Sequence, residues 1–440
     1  MRLHIRQSFF LSSTFLLLFF TLFCPNIASA TFYYVATNGS DSNSGDKASP
    51  FQTIKKGVTA LSAGDTLYVR TGTYTESILS WKTPIANGHS WDQPITVAAY
   101  PGDTVIITPP AGTAFFWINE NAAKYLIIDG FIVDCQHMAW HGFKLHGGIS
   151  RVRIANTEVR HAKYSSVLVT VTDTLGPTNP GYHEFIKMKV HHGGESTQDH
   201  GFYIETGHNL IEHSEIYANS GWGIHNYRSK YNFSNHNTYR YNMVHHNGLK
   251  GWACGIMLSS GEQGVAHNNF VYENPTGLCT LYRSTDNRFF NNLVFQNTTN
   301  GIYVGGGKEN IRTGIYHNTV YANGDYGIFI GENAQGTEII NTIAYQNGTN
   351  IYLDPGQQTG TKSVNNLTTN PLFVNPKTND FHLQAGSQAI DKGISINEID
   401  YDHDGRKRPI GKTVDIGAFE SILDMEPPAT PTDFKLLTSQ

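Results

Sequence analysis

Charge is the first thing this sequence has little of. Asp, Glu, Lys and Arg make up 15% of its 440 residues, against roughly a quarter in ordinary soluble domains. The balance is 31 − 36 = −5 with no basic run, which argues against nucleic acid as a partner. Apolar runs are scarce as well. The one at Phe9 to Phe23 follows Arg2 and Arg6 and precedes Ala28-Ser29-Ala30. It is short for a membrane span, so residues 1–30 read as a secretory signal and the mature chain starts at Thr31. That makes the protein secreted, with no membrane span in the mature chain. Cysteine is rare: Cys24, Cys135, Cys254 and Cys279. Bulky Phe23 ahead of Cys24 argues against a lipid-modified Cys. The other three show no zinc spacing. Cys254 and Cys279 fall in adjacent repeats but different registers, and all three read as buried small hydrophobes. Also absent is any short sequence diagnostic of one enzyme family.

What is present is a repeat. An aligned aliphatic residue recurs at 133, 159, 190, 216, 244, 271, 294, 320 and 343, at spacings of 23 to 31 residues. Each unit holds two short runs of alternating polarity broken by Gly and Asn. The runs are too short for helices, and each unit has too few strands for a propeller blade. One unit cannot bury its apolar face, whereas stacked units bury a continuous core. Asn242, Asn269, Asn292, Asn318 and Asn341 each sit two before the aligned aliphatic. Asn suits such stacked turns because it tolerates left-handed geometry and bonds neighbouring backbone.

The units Asn292-Leu293-Val294-Phe295-Gln296-Asn297, Asn318-Thr319-Val320-Tyr321-Ala322-Asn323 and Asn341-Thr342-Ile343-Ala344-Tyr345-Gln346 carry a resemblance. They resemble the right-handed parallel β-helix of the pectate-lyase-like superfamily. The resemblance implies an all-β solenoid over most of the mature chain. It implies function only broadly, since that architecture hosts lyases, hydrolases, epimerases and adhesins.

The ends read differently. Residues 31–78 form an N-terminal cap, with a strand at Phe32–Ala36 and an amphipathic helix at roughly 53–61 that plugs the open solenoid end. Asp41, Asn43 and Asp46 there read as a solvated turn, with calcium as the alternative. Residues 79–374 are the solenoid. Within it, the loop from Trp81 to Trp91 overhangs one face. Residues 375–421 resemble the terminal segment of secreted bacterial β-helix proteins. Asp400, Asp402, Asp404 and Gly405 imitate the start of a calcium loop, but the twelfth position is Gly411 rather than a bidentate Glu. They are weak metal candidates, with calcium the ion in question. Residues 422–440 contain the stiff linker Glu426-Pro427-Pro428-Ala429-Thr430-Pro431.

Strand alternation locates the candidate site. In the second run of each unit Phe143, Phe202, Ile224, Ile256, Leu278, Ile302 and Ile328 point in. The next residue points out: Lys144, Leu168, Tyr203, His225, Met257, Cys279, Tyr303, Phe329 and Tyr352. Two further on come His146, Thr170, Glu205, Tyr227 and Ser259. Ionisable groups crowd the early units, and the later ones are apolar or small. Two long loops, Thr172 to Glu184 and Arg228 to Arg240, flank the cluster. His141 and His200 share the inward parity, yet each precedes a Gly, where the chain can turn. Asp199 is the expected orienting partner of His200. His191, His192, His245 and His246 form a separate patch in turns.

These residues suit β-elimination at a uronic acid, or the related epimerisation. A cation must neutralise the uronate carboxylate, a base must remove the C5 proton, and an acid must protonate the leaving oxygen. Arg228 or Lys144 can neutralise, His225 or His200 can be the base, and Tyr203 the acid. Glu205 can orient His225, and His146, Tyr227 and Trp222 can bind the sugar. A glycoside hydrolase needs a carboxyl pair, for which Asp199 and Glu205 stand, with Glu184 or Glu195. A non-catalytic glycan-binding or adhesion protein would use Tyr203, Tyr227, Tyr303, Phe329 and Tyr352 as stacking surfaces. In every case the partner is a polysaccharide or cell-surface glycan. A monomer is the expected state.

Overall fold

The computed structural model describes residues 30–119, 123–172, 180–228 and 234–422. Residues 1–29, within the stretch read as a secretory signal, the Pro-rich tail and the middles of both long loops lie outside them. The described chain is an all-β, right-handed parallel solenoid. The coils visit three long sheets in turn, and the later ones add a short strand to a fourth sheet of five strands, from Gly261–Glu262 to Gln358–Thr359. Sheet I has 13 strands, from Phe32–Val35 to Lys362–Val364. Sheet II has 11, from Gly72–Tyr74 to Ile343–Tyr345, and sheet III has 11, from Ile78–Leu79 to Thr349–Leu353. The sequence reading found two runs per unit. The third, on sheet I, is in many coils three residues long, as in Leu210–Glu212 or Thr238–Arg240.

The aligned aliphatics are the inward column of sheet II. Val133, Val159, Val190, Ile216, Val244, Val271, Val294 and Val320 stand opposite one another in register and are fully buried. Each such side chain contributes about 1.5–3 kcal/mol through burial. The ninth position is a correction. Val320 faces Ala344, while Ile343 packs outward under the C-terminal segment.

The same one-residue slip moves the asparagine ladder. Asn242, Asn269, Asn292 and Asn318 accept, through Oδ1, the backbone N–H of the ladder residue in the coil before. The ladder then passes to Thr342 and Asn366, not to Asn341. Nor is the ladder residue left-handed. That geometry belongs to the residue before it, as at Tyr241 (φ 55°) and Asn291 (φ 52°). Asn341 occupies that preceding position. A second ladder, Asn219 to Asn347, repeats the bonding in the turn between sheets II and III. These amides satisfy backbone donors that the turns would otherwise bury unpaired.

The N-terminal helix Ile54–Ala60 begins at Thr53, whose Oγ1 accepts from Lys56 N–H at 3.2 Å. Asp41 accepts from Gln52 and Thr53 N–H, and Asp46 from Ala48 and Ser49 N–H. Both carboxylates therefore shape the turn. The helix buries Ile54 and Val58 over Leu67, at the start of sheet I.

At the other end, residues 371–421 run along the flank of the solenoid. Phe373, Phe381, Ile416 and Phe419 cover Leu293, Phe295 and Ile343 of sheet II. Arg408 is buried there, ion-paired to Glu420 and bonded to Asn291 Oδ1. Sheet III is left uncovered by this segment along its early coils.

Candidate active site

The outer face of sheet III is built on a column of glycines. Gly201, Gly223, Gly255, Gly277 and Gly301 stand at the start of successive strands. A Cβ on any of them would lie 2.5–3.0 Å from the carbonyl oxygen of the next glycine. No larger residue fits, and the chain bends there. The bend carries the preceding side chain out of the core and onto the outer face. His200, Trp222 and Cys254 stand at this position in three consecutive coils. Simple alternation would have put His200 inside.

Next to the glycine column runs the expected outward column. Lys144, Leu168, Tyr203, His225, Met257, Cys279 and Tyr303 are aligned by strand register. Tyr203 and His225 stack with ring centroids 5.1 Å apart. His225 is also flanked by Trp222 (4.8 Å) and by Tyr227 (5.4 Å, ring planes nearly parallel). Glu205, two residues on, lies beside the Tyr203 hydroxyl. Burial, and next the Glu205 charge, hold the phenol well above its ordinary pKa, with Arg228 pulling the other way. The other face of Glu205 accepts from Val171 N–H at 3.1 Å. Arg228 is 4% exposed, so it is set into the wall beside Tyr203 rather than draped over it.

His200 is 2% exposed, and both its ring nitrogens are engaged. Nδ1 accepts from Trp222 N–H at 3.2 Å, and Nε2 lies 2.9 Å from His225 Nδ1. Its expected partner Asp199 is occupied elsewhere. The Asp199 carboxylate accepts from Glu195 N–H, Ser196 N–H and Ser196 Oγ. Asp199 thus closes its own turn, because an Asp four residues into a Glu-Ser turn finds backbone donors closer than a ring behind it. Desolvation lowers the His200 pKa to about 3 and holds His225 well below the usual range. Both imidazoles are neutral at pH 7.

Lys144 lies two coils from Tyr203, its ammonium 4.1 Å from the Trp117 ring centroid, and burial lowers its pKa. His146 Nδ1 pairs with Thr170 Oγ1 at 2.7 Å. His141 turns toward Ser165 O at 2.6 Å and is buried. Met257 and Cys279 are outward but covered, by Trp222, Tyr227, Leu281 and Tyr303.

Several sequence candidates fall elsewhere. Glu184 is on sheet I, paired with Arg153 at 2.7 Å, so it cannot complete a carboxyl pair with Glu205. His191 and His245 stack with Tyr217 on sheet II, not sheet III. Asp402 accepts from Arg406 and Glu420 N–H, and Asp404 pairs with His382 and Arg406. Both sit in the C-terminal segment with Asp400, and their carboxylates are turned to those partners rather than to a shared point. Among the described residues, no three His, Cys, Asp or Glu side chains converge as a metal-ligand set. Cys254 and Cys279 form a disulfide, with Cα atoms 6.2 Å apart. The register argument against it fails because alternation breaks at Gly255.

Three tryptophans escaped the sequence reading. Trp117, Trp140 and Trp252 edge the same face, and Trp140 and Trp252 are 37% and 45% exposed. A signal existed: Trp140, Trp222 and Trp252 all lie within three residues before the glycine-column position of their coil. A concavity of about 780 Å³ lies away from this face, on sheet I. Its charged lining is internally paired, as in Arg312–Asp286 and Lys362–Glu338.

Comparison with known proteins fits this architecture. Residues 33–355 match the family model described as Pel9A-like, right handed beta helix region. The crystal structure of pectate lyase Pel9A superposes with a TM-score of 0.61 at 19% identity, covering 90% of this chain and 97% of that one. Pectate lyase L of Dickeya dadantii (strain 3937) is 22% identical over 90% of this chain and 91% of its own. An uncharacterized Bacillus subtilis (strain 168) protein, YwoF, is 27% identical over 31% of this chain, a match spanning 30% of that protein.

Proposed function

Because the chain belongs to the family defined by the Pel9A-like right-handed β-helix region, we propose that it is a secreted enzyme of acidic polysaccharide. The reaction is β-elimination at a uronic acid, or C5 epimerisation through the same carbanion. One observation carries this reading: Tyr203 and His225 stack in one outward column, with Glu205 and Arg228 beside them. The cluster brings hydroxyl, imidazole, carboxylate and guanidinium within reach of one sugar unit.

The roles follow from position. Arg228 supplies positive charge beside Tyr203, and Lys144, roughly 10 Å along the column, suits the carboxylate of a neighbouring sugar. Neutralising the carboxylate lowers the barrier to removing the C5 proton. Two groups face the sugar, Tyr203 with Glu205 at its side and His225 stacked upon it, and proton transfer falls to the first of these. His200 is excluded from direct contact, since its two nitrogens are taken. A hydrolytic reading is weaker, because Asp199 closes a turn and Glu184 lies on another sheet.

The test is purified protein on a panel of uronate and neutral polysaccharides. A lyase produces ultraviolet-absorbing unsaturated uronates together with new reducing ends. Reducing ends without absorbance would make it a hydrolase. Binding with neither product would make it a non-catalytic glycan receptor.

A further inference from the structure

His200 has the form of a device for placing a proton. Its Nδ1 accepts the backbone N–H of Trp222, so that nitrogen carries a lone pair. A neutral imidazole with a lone pair on Nδ1 carries its hydrogen on Nε2. That Nε2–H points at His225 Nδ1, 2.9 Å away. His225 Nδ1 must then be the acceptor. If His225 is also neutral, its one hydrogen sits on Nε2. No described residue engages that nitrogen, and the ring is partly exposed between Tyr203, Trp222 and Tyr227.

We propose that the chain from Trp222 N–H through His200 fixes His225 as the Nε2–H tautomer, making His225 a hydrogen-bond donor to the substrate carboxylate rather than a base. His200 is the positioning residue, acting only through His225. This rests on the reading of the site as a uronate-processing one and deepens it. A neutral imidazole N–H stabilises charge as it develops on a carboxylate or its enolate form, without giving up its proton. The groups facing His225 agree with it staying neutral. Positive charge comes from Arg228 in its own coil and Lys144 three coils before. The carboxylate of Glu205, in the coil before, lies beside Tyr203 and accepts from Val171 N–H. Trp222, Tyr227 and Met257 add only aromatic and apolar surface. Desolvation lowers both histidine pKa values. Removal of the C5 proton then belongs to Tyr203 and Glu205 together, with the carboxylate as the group that takes the proton up.

The experiment is nitrogen NMR on the full chain with ¹⁵N-labelled histidine, assigned with His225→Ala and His200→Ala. The expected result is a pyrrole-like signal for His225 Nε2 and a pyridine-like one for Nδ1, constant from pH 5 to 8. An Nδ1–H tautomer, or a doubly protonated ring within that range, would overturn the proposal. Kinetics supply the second arm. His200→Ala should lower kcat by tenfold or more with little change in KM, and it should introduce an acid limb into the pH profile. His200→Gln should recover most of the loss, because its amide N–H can stand where Nε2–H stood. Equal loss in both variants would overturn the positioning role. The expected NMR pattern with no turnover of any uronate polymer would uphold the tautomer and defeat the lyase reading.

Discussion

Sheet III uses one piece of geometry twice. A side chain ahead of the glycine column reaches diagonally to the outward column of the next coil. At one place the pair is His200 and His225, and two coils further on it is Cys254 and Cys279. Both spans are 25 residues. The first diagonal is held by a hydrogen bond and edged by Tyr203, Glu205 and Arg228. The second is covalent and packed under Trp222, Tyr227, Leu281 and Tyr303. A solenoid repeats its backbone but not its side chains. Identical positions can therefore carry a hydrogen-bonded histidine pair in one coil and a cross-link in another. On the proposed reading of the site, the line between chemistry and scaffold on this face runs at Trp222 and Tyr227.

The comparison breaks most visibly through activity. On a substrate the wild type cleaves, His225→Ala should lose at least a hundredfold in kcat, the scale of removing one preorganised donor. Its melting temperature should barely change, since the ring is an outward one. Met257→Ala, next in the same column but on the scaffold side, should keep kcat within a few-fold. Equal losses in the two variants would erase the proposed boundary.

The disulfide side should respond in the opposite sense. Cys254→Ala with Cys279→Ala opens a loop of 25 residues, which costs about 3 kcal/mol of stability. Chemical denaturation should show that loss, while kcat per folded molecule stays near wild type. A collapse of kcat in the folded variant would tie the cross-link to the chemistry.

Acid should separate the regions next. His141, His183 and His200 are buried neutral, with pKa values lowered to about 4, 3 and 3. Unfolding frees each ring to protonate near its ordinary value. The unfolded chain therefore binds more protons below about pH 6.5. Their contribution is complete above that pH and is lost as pH falls toward 4, at up to about 1 kcal/mol per unit for each ring. Asp415, raised to about 7 by burial, works the other way, since its contribution is lost as pH rises toward 7. The cystine diagonal has nothing to titrate. Melting temperature against pH should thus fall toward pH 4.5 in the wild type, less steeply in His200→Gln, and unchanged in slope when the disulfide is removed.

How far these features can be read from sequence depends on their periodicity. The inward column of sheet II is legible because Val159, Val190 and Ile216 recur beside Asn- and Gly-rich turns. Tyr203 and His225 are legible as neighbours because register follows from that column. His200 is not, because its direction depends on the bend at Gly201, which a period of two misreads. The diagonal is missed for the same reason. Straight columns put Cys254 opposite Thr276 and Cys279 opposite Met257, and only the bend brings the sulfurs together. The slip at Ile343 has another cause. Phe381 and Phe419 bury it from outside, and repeat spacing contains nothing about a segment that returns from about 40 residues later or more.

The smallest expected effect lies at the rims of the face. Trp140 stands beside Trp117, on which Lys144 rests, at the proton-chemistry side. Trp252 packs edge-on against Trp222 at 5.3 Å, at the disulfide side. Their coils are four strands apart on sheet III, roughly 19 Å at the usual spacing. A polymer lying along the solenoid can stack on both, whereas a short oligosaccharide centred on His225 reaches one at most. Losing one ring contact costs about 1 kcal/mol, close to a fivefold change in affinity. Trp140→Ala and Trp252→Ala should each raise KM about fivefold on long chains and leave kcat alone. On a short oligosaccharide, one of the two variants should match the wild type. If both variants weaken short and long substrates alike, the rings support the fold of the face rather than the sugar. The glycan would then be confined to the coils between Lys144 and Tyr227.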